Sequence, residues 1–139
     1  MHQPYVLIHH SRPSHQILLH QACNAQGLFN VRVTSDHSDL DACLARKHHA
    51  DLLILDHALN DGLACLERAS SVRAVLLVGH AAKNRPNLAS EARRRGLWVL
   101  ADLPWPLPIL RWQQALQRIQ TVTSPRHARL GRRCSANFA

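Results

Sequence analysis

Asp56 closes the run Leu52-Leu53-Ile54-Leu55, four apolar residues leading straight into an acid. A carboxylate in that position can accept a phosphoryl group, hold a cation or pair with an imidazolium. Four histidines belong to its expected neighbourhood. His9 and His10 close another short apolar run, His57 follows Asp56 directly, and His80 follows Gly79. Imidazoles beside a carboxylate can bind zinc, nickel or copper. Alternatively one imidazolium pairs with Asp56, or the rings sit in solvent-facing loops of a chain with eleven histidines. The residue types leave all three readings open. His48-His49, at the end of a helical segment, suits capping of helix carbonyls better than ligation. No Gly-rich phosphate loop and no Ser-His-Asp order occurs. Cys23, Cys43, Cys65 and Cys134 are widely spaced without a CxxC pair, so a structural zinc site is not expected, and buried reduced thiols are.

The elements that must position Asp56 follow from hydrophobic spacing. Short apolar runs without polar alternation suit parallel strands buried on both faces. Such runs lie at Tyr5–Ile8, Asp51–Leu55, Ala74–Val78 and Leu97–Leu100, and Phe29–Thr34 alternates as an edge strand would. Between them come helical segments: one capped by Ser14 with Ile17, Leu18, Gln21, Ala22 and Ala25; one capped by Ser38 or Asp39 with Leu40, Cys43 and Leu44 inward. A third carries Leu63, Cys65, Leu66 and Ala69. A fourth starts near Pro86, and a last spans Ile109–Ile119 with Leu110, Gln113, Leu116 and Ile119 periodic. Gly27 and Gly96 suit helix ends, and Pro104, Pro106 and Pro108 break the chain before the last helix. Strands alternating with helices imply a parallel sheet covered on both sides. The expected architecture is α/β: a flavodoxin-like (βα)5 three-layer sandwich with sheet order 2-1-3-4-5, which brings the ends of strands 1, 3 and 4 to one crevice.

A chain of 139 residues, 46% hydrophobic, supports one core, made mostly of aliphatic side chains because only six residues are Phe, Trp or Tyr. Residues 1–120 are expected to form the domain and 121–139 a basic tail or linker. The formal charge of +8 invites a nucleic-acid reading, yet Arg126, Arg129, Arg132 and Arg133 crowd the last fourteen residues and the remainder carries only +4. No apolar run approaches the roughly 20 residues that span a bilayer, and Met1-His2-Gln3-Pro4 is unlike a secretory signal. A cytoplasmic protein without membrane contact is expected.

Over residues 4 to 120 the pattern resembles the receiver domain of bacterial response regulators. The strand ending in Asp56 resembles the phosphoacceptor strand, Asn60-Asp61-Gly62 the turn after it, Val75–Val78 the fourth strand, Gly96 the glycine before strand five, and Leu103-Pro104-Trp105 the Lys-Pro-aromatic corner. The resemblance implies two acids after strand one, a Thr or Ser after strand four and a Lys before the proline. This chain has His9 and His10, Gly79, and Leu103 at those positions. Phosphoryl transfer needs positive charge on the transferring oxygens, and magnesium prefers hard oxygen ligands. A degenerate pseudo-receiver is therefore expected: no enzyme, no cofactor, no magnesium or other metal, and action by protein–protein contact or homodimerisation. The resemblance also implies an interaction surface on helix 4, strand 5 and helix 5. Arg93, Arg94, Trp105 and Trp112 are its expected anchors, with transcription or two-component control as context and an output domain possible beyond residue 120. The alternatives are an active receiver phosphorylated at Asp56, and nucleic-acid binding through the basic helix and tail.

Overall fold

The five short runs become five parallel strands of one sheet. The computed structural model describes residues 3–45, 50–81, 83–84 and 87–123. Strands β1 (Val6–His9), β2 (Val31–Thr34), β3 (Leu52–Asp56), β4 (Ala74–Val78) and β5 (Trp98–Leu103) lie in the order β2-β1-β3-β4-β5, as expected. They alternate with α1 (Pro13–Ala25), α2 (His37–Leu44), α3 (Gly62–Arg68), α4 (Leu88–Arg94) and α5 (Ile109–Thr123).

Alternation along each strand feeds two cores. Val6, Ile8, Leu52, Ile54, Leu76 and Val78 pack with Leu19 and Cys23 of α1 and Trp112, Leu116 and Ile119 of α5. Leu7, Leu53, Leu55, Val75 and Leu77 pack with residues of α2, α3 and α4, among them Leu40, Cys65 and Ala92. Every residue of β1, β3 and β4 is buried, which is why these strands show no polar alternation in sequence. β2 is an edge strand, and its half-exposed residues account for its alternating composition. Among the described residues no helix is long and apolar enough to cross a membrane.

The structure corrects several local expectations. Ser14 does not cap α1; Arg12 stands at the cap, and Pro13, whose fixed φ suits the first helical turn, begins the helix. Asp36, not Ser38 or Asp39, caps α2, accepting the Asp39 N–H at 2.8 Å. A capping oxygen must reach an amide two or three residues ahead, and only Asp36 stands far enough back. Leu110 is 72% exposed; the inward stripe of α5 is Trp112, Ala115, Leu116 and Ile119. Strand β5 runs three residues further than expected. A bulge shifts its register against β4, so that Val75 pairs with Val99 but Leu76 with Ala101. Leu100 and Leu103 thereby both reach the α1–α5 core.

Two expected site residues are core residues instead. Leu103 is buried and pairs with Val78, so it does not stand where a pocket lysine would. Trp112 is 1% exposed, and its indole N–H donates to the Ala22 carbonyl at 3.0 Å, tying α5 to α1. The last helix turns its indole inward because Trp112 shares a face with Ala115, Leu116 and Ile119. Helix α5 continues to Thr123, so the boundary expected at residue 120 falls within it. The tail arginines, Cys134, Pro86 and His48-His49 lie outside the described residues.

Candidate functional site

Asp56 ends β3 at the carboxyl edge of the sheet and is 3% exposed. A carboxylate that deep must find donors to remain ionised. Three converge on it. His10 Nε2 lies 2.9 Å from Oδ2, the Trp105 indole N–H donates to Oδ2 at 2.8 Å, and the Ala58 N–H donates to Oδ1 at 2.7 Å. Burial by itself raises the carboxyl pKa; the hydrogen bonds from His10, Trp105 and Ala58 outweigh it and hold it at about 2.

The donors are themselves positioned. His10 follows β1, and its Nδ1 accepts the Arg12 N–H at 3.0 Å. That bond fits the neutral tautomer with its proton on Nε2, the atom that faces Asp56. His15, on the first turn of α1, lies edge-on to His10 and stacks on the Trp105 ring at 4.5 Å between centroids. Its Nδ1 is 3.2 Å from His10 Nε2. Burial, followed by the fields of His10 and Arg12, keeps His15 below the ordinary histidine value. Three rings thus form a lid over one carboxylate.

Gly79, just past β4, forms the far wall. Its φ is +85°, and a Cβ built there would stand 2.7 Å from Asp56 Oδ1. No hydroxyl-bearing side chain can occupy this position without displacing the carboxylate or the backbone. The position expected to carry a lysine is filled in effect by Trp105, two residues beyond Leu103, whose indole N–H reaches across the end of β4 to Asp56.

The other histidines separate. His9 turns to the α2 side, with Nδ1 2.7 Å from Thr34 Oγ1. Burial, set against the raising field of Asp61, lowers its pKa. His57 is buried, and its Nε2 lies 2.8 Å from Asp102 Oδ1 on β5, while its Nδ1 has no hydrogen-bond partner among the described residues. His80 is exposed. Of the four histidines the sequence singled out, only His10 touches Asp56. His15 and the role of Trp105 were missed. The one sequence signal for His15 was its place just after Pro13-Ser14, at the expected start of the helix that follows His10. On α4, Arg93 and Arg94 are exposed, and Arg94 donates to both Glu91 carboxylate oxygens at 2.6 and 2.7 Å.

The carboxylate makes the fold sensitive to acid. Its pKa is depressed from 3.8 to about 2, so its contribution is complete above pH 3.8 and disappears as pH falls through 2. That difference corresponds to about 2 kcal/mol. Unfolding free energies measured between pH 5 and pH 2 should fall by that amount more in the parent than in Asp56→Asn. Parallel acid limbs in the two proteins would refute the assignment. His9 and His15, also depressed, add a shallower loss that begins just below pH 6.5.

Comparison with solved structures places the fold. A response regulator from Colwellia psychrerythraea superposes with a TM-score of 0.69 at 17% identity, covering 86% of this chain and 98% of that one. A pilus-assembly candidate from Burkholderia thailandensis gives 0.65 at 22% identity over 86% and 99%. A CheY-like receiver domain from Methylobacillus flagellatus gives 0.64 at 19% identity over 85% and 99%. The chain therefore has the fold of response-regulator receiver domains. No family model matches its sequence, and no curated protein matches it.

Proposed function

We propose that the chain is a receiver-like signalling module that works without phosphoryl transfer, by contact with a protein partner or a second copy of itself. The observation that supports this reading is the inward saturation of Asp56: imidazole, indole and amide donors already occupy the carboxylate that would have to attack a phosphodonor. A nucleophile engaged by three donors and held at a pKa of about 2 is a poor one.

The donor set does not fit magnesium. The ion takes oxygen ligands in near-octahedral geometry, whereas an imidazole N–H faces Asp56 where a second acid would be needed. Nor do Gly79 and Trp105 offer a hydroxyl or an ammonium to a phosphoryl group. No reaction step is assigned to the module. The α4–β5–α5 face is its proposed contact surface, with Arg93 the first residue to substitute, because Arg94 is clasped by Glu91. Trp105 leaves that set as a site residue and Trp112 as a core residue. A cytoplasmic two-component or transcription-control setting, with an output domain beyond residue 120, belongs to the same proposal.

The test is a titration with beryllofluoride and Mg²⁺ followed by amide chemical shifts. At millimolar ligand the resonances of Asp56, Ala58 and Gly79 should stay in place. Shifts confined to those residues would establish instead an active phosphoacceptor at Asp56.

A further inference from the structure

A second group of side chains lies on the α2–α3 side of the sheet edge. His9 ends β1, His37 opens α2, Asp61 stands at the cap of α3, and Cys65 lies one turn into α3. One ligand atom from each lies within 4.8 Å of all the others. His37 Nε2 pairs with Asp61 Oδ2 and is 3.9 Å from Cys65 Sγ. We propose that His9, His37, Asp61 and Cys65 bind a zinc ion in a tetrahedral site of two nitrogens, one oxygen and one sulfur.

Several observations carry this. Zinc takes imidazole, carboxylate and thiolate at about 2.0–2.3 Å, which sets ligand atoms roughly 3.3–3.8 Å apart. No separation exceeds 4.8 Å, so the widest needs to close by about 1 Å, while the His37–Asp61 pair opens to admit the ion between them. Asp61 and Cys65 are joined by the Cys65 N–H to Asp61 carbonyl bond at 3.0 Å, so they share one face of the helix start. Asp61 stands in the capping position yet makes no side-chain cap; its carboxylate is turned to His37 instead. The Thr34 hydroxyl holds His9 Nδ1, which leaves Nε2 for the ion and fixes the ring as an outer-shell partner does.

Charge selects the ion. On binding, Cys65 gives up its thiol proton to solvent and both imidazoles ligate neutral. Thiolate and carboxylate then balance a divalent ion, and the half-buried site carries no net charge. A thiolate with two imidazoles disfavours magnesium and calcium. His9 and Cys65 are buried while His37 and Asp61 are partly exposed, so the site is open to an ion on one side. This site is separate from the Asp56 lid, whose His10 is engaged by Asp56 and Arg12.

The experiment uses the full chain and Co²⁺ as a spectroscopic probe, with Zn²⁺ as competitor. One equivalent of Co²⁺ should give the visible bands of a tetrahedral ion and a thiolate-to-metal charge-transfer band, and Zn²⁺ should abolish both. Cys65→Ser should remove the charge-transfer band, and His37→Ala, at a partly exposed position, should weaken binding at least tenfold with the circular dichroism unchanged. His10→Ala should leave binding as it is. Absence of a tetrahedral spectrum, a charge-transfer band that survives Cys65→Ser, or loss of binding in His10→Ala rather than His37→Ala would each overturn the assignment.

Discussion

Replacing Trp112 with alanine should destabilise the chain by about 3–5 kcal/mol, the range for removing a fully buried aromatic side chain. The indole is the largest side chain in the α1–α5 core, where it packs among Leu19, Cys23, Leu116 and Ile119. Its N–H also links α5 to α1 through the Ala22 carbonyl. Truncation removes both the apolar contact and the tie between the two helices covering that face. Trp112→Phe should keep most of the packing and lose the hydrogen bond, costing about 1–2 kcal/mol. Urea unfolding of the three proteins, with mass in solution measured alongside, separates core from interface. If Trp112→Ala kept the parent's stability and only lost self-association, the core assignment would be wrong. The opposite outcome would confirm that an aromatic expected on a surface is what seals one side of the sheet.

The second large effect concerns the wall of the Asp56 pocket. Gly79→Thr, which supplies the hydroxyl that receivers carry at this place, should destabilise by about 2–4 kcal/mol. A left-handed backbone costs a non-glycine residue about 1–2 kcal/mol. Overpacking adds about 1–3 kcal/mol when the neighbour cannot yield. The neighbour here is the Asp56 carboxylate, 2.7 Å from the added Cβ and fixed by three donors. Gly96 provides the control: its φ is +79°, but nothing lies within 4 Å of an added Cβ. Gly96→Ala should therefore show the backbone cost alone. Equal losses at the two positions would mean that the carboxylate moves aside easily and that the pocket is less rigid than its hydrogen bonds imply. The substitution should also fail to restore beryllofluoride binding, because His10 and Trp105 still hold the carboxylate.

How much of this was legible in the residues differs between fold and site. Leu52–Leu55 and Ala74–Val78 announce strands buried on both faces; handed crossovers narrowed the sheet orders, and the flavodoxin-like order chosen among them is the one the fold has. Asp56 at a strand end was equally plain. The lid was not. Leu103 looked like the lysine position because it precedes a proline, but the bulge beside Leu76 lengthens β5 and delivers Trp105 to Asp56. A bulge leaves no signature in a run such as Trp98–Leu103. Likewise His9 and His10 are neighbours in sequence that a strand sends to opposite sides, one toward Thr34 and one toward Asp56. Which ring met the acid depended on the pleat. His37 comes from the connection after β2 and Asp61 and Cys65 from the one after β3, and only the folded sheet brings them to His9.

The His57–Asp102 pair has a mechanical meaning. His57 sits at the end of β3 and Asp102 on β5, with β4 between them, and Trp105 joins the same two ends through Asp56. Two clasps thus bridge over β4. A push on the β5–α5 corner, from whatever docks there, must either snap both or drag β3 along as a lever. Amide exchange at Asp56 and Asp102 should consequently slow and quicken in step.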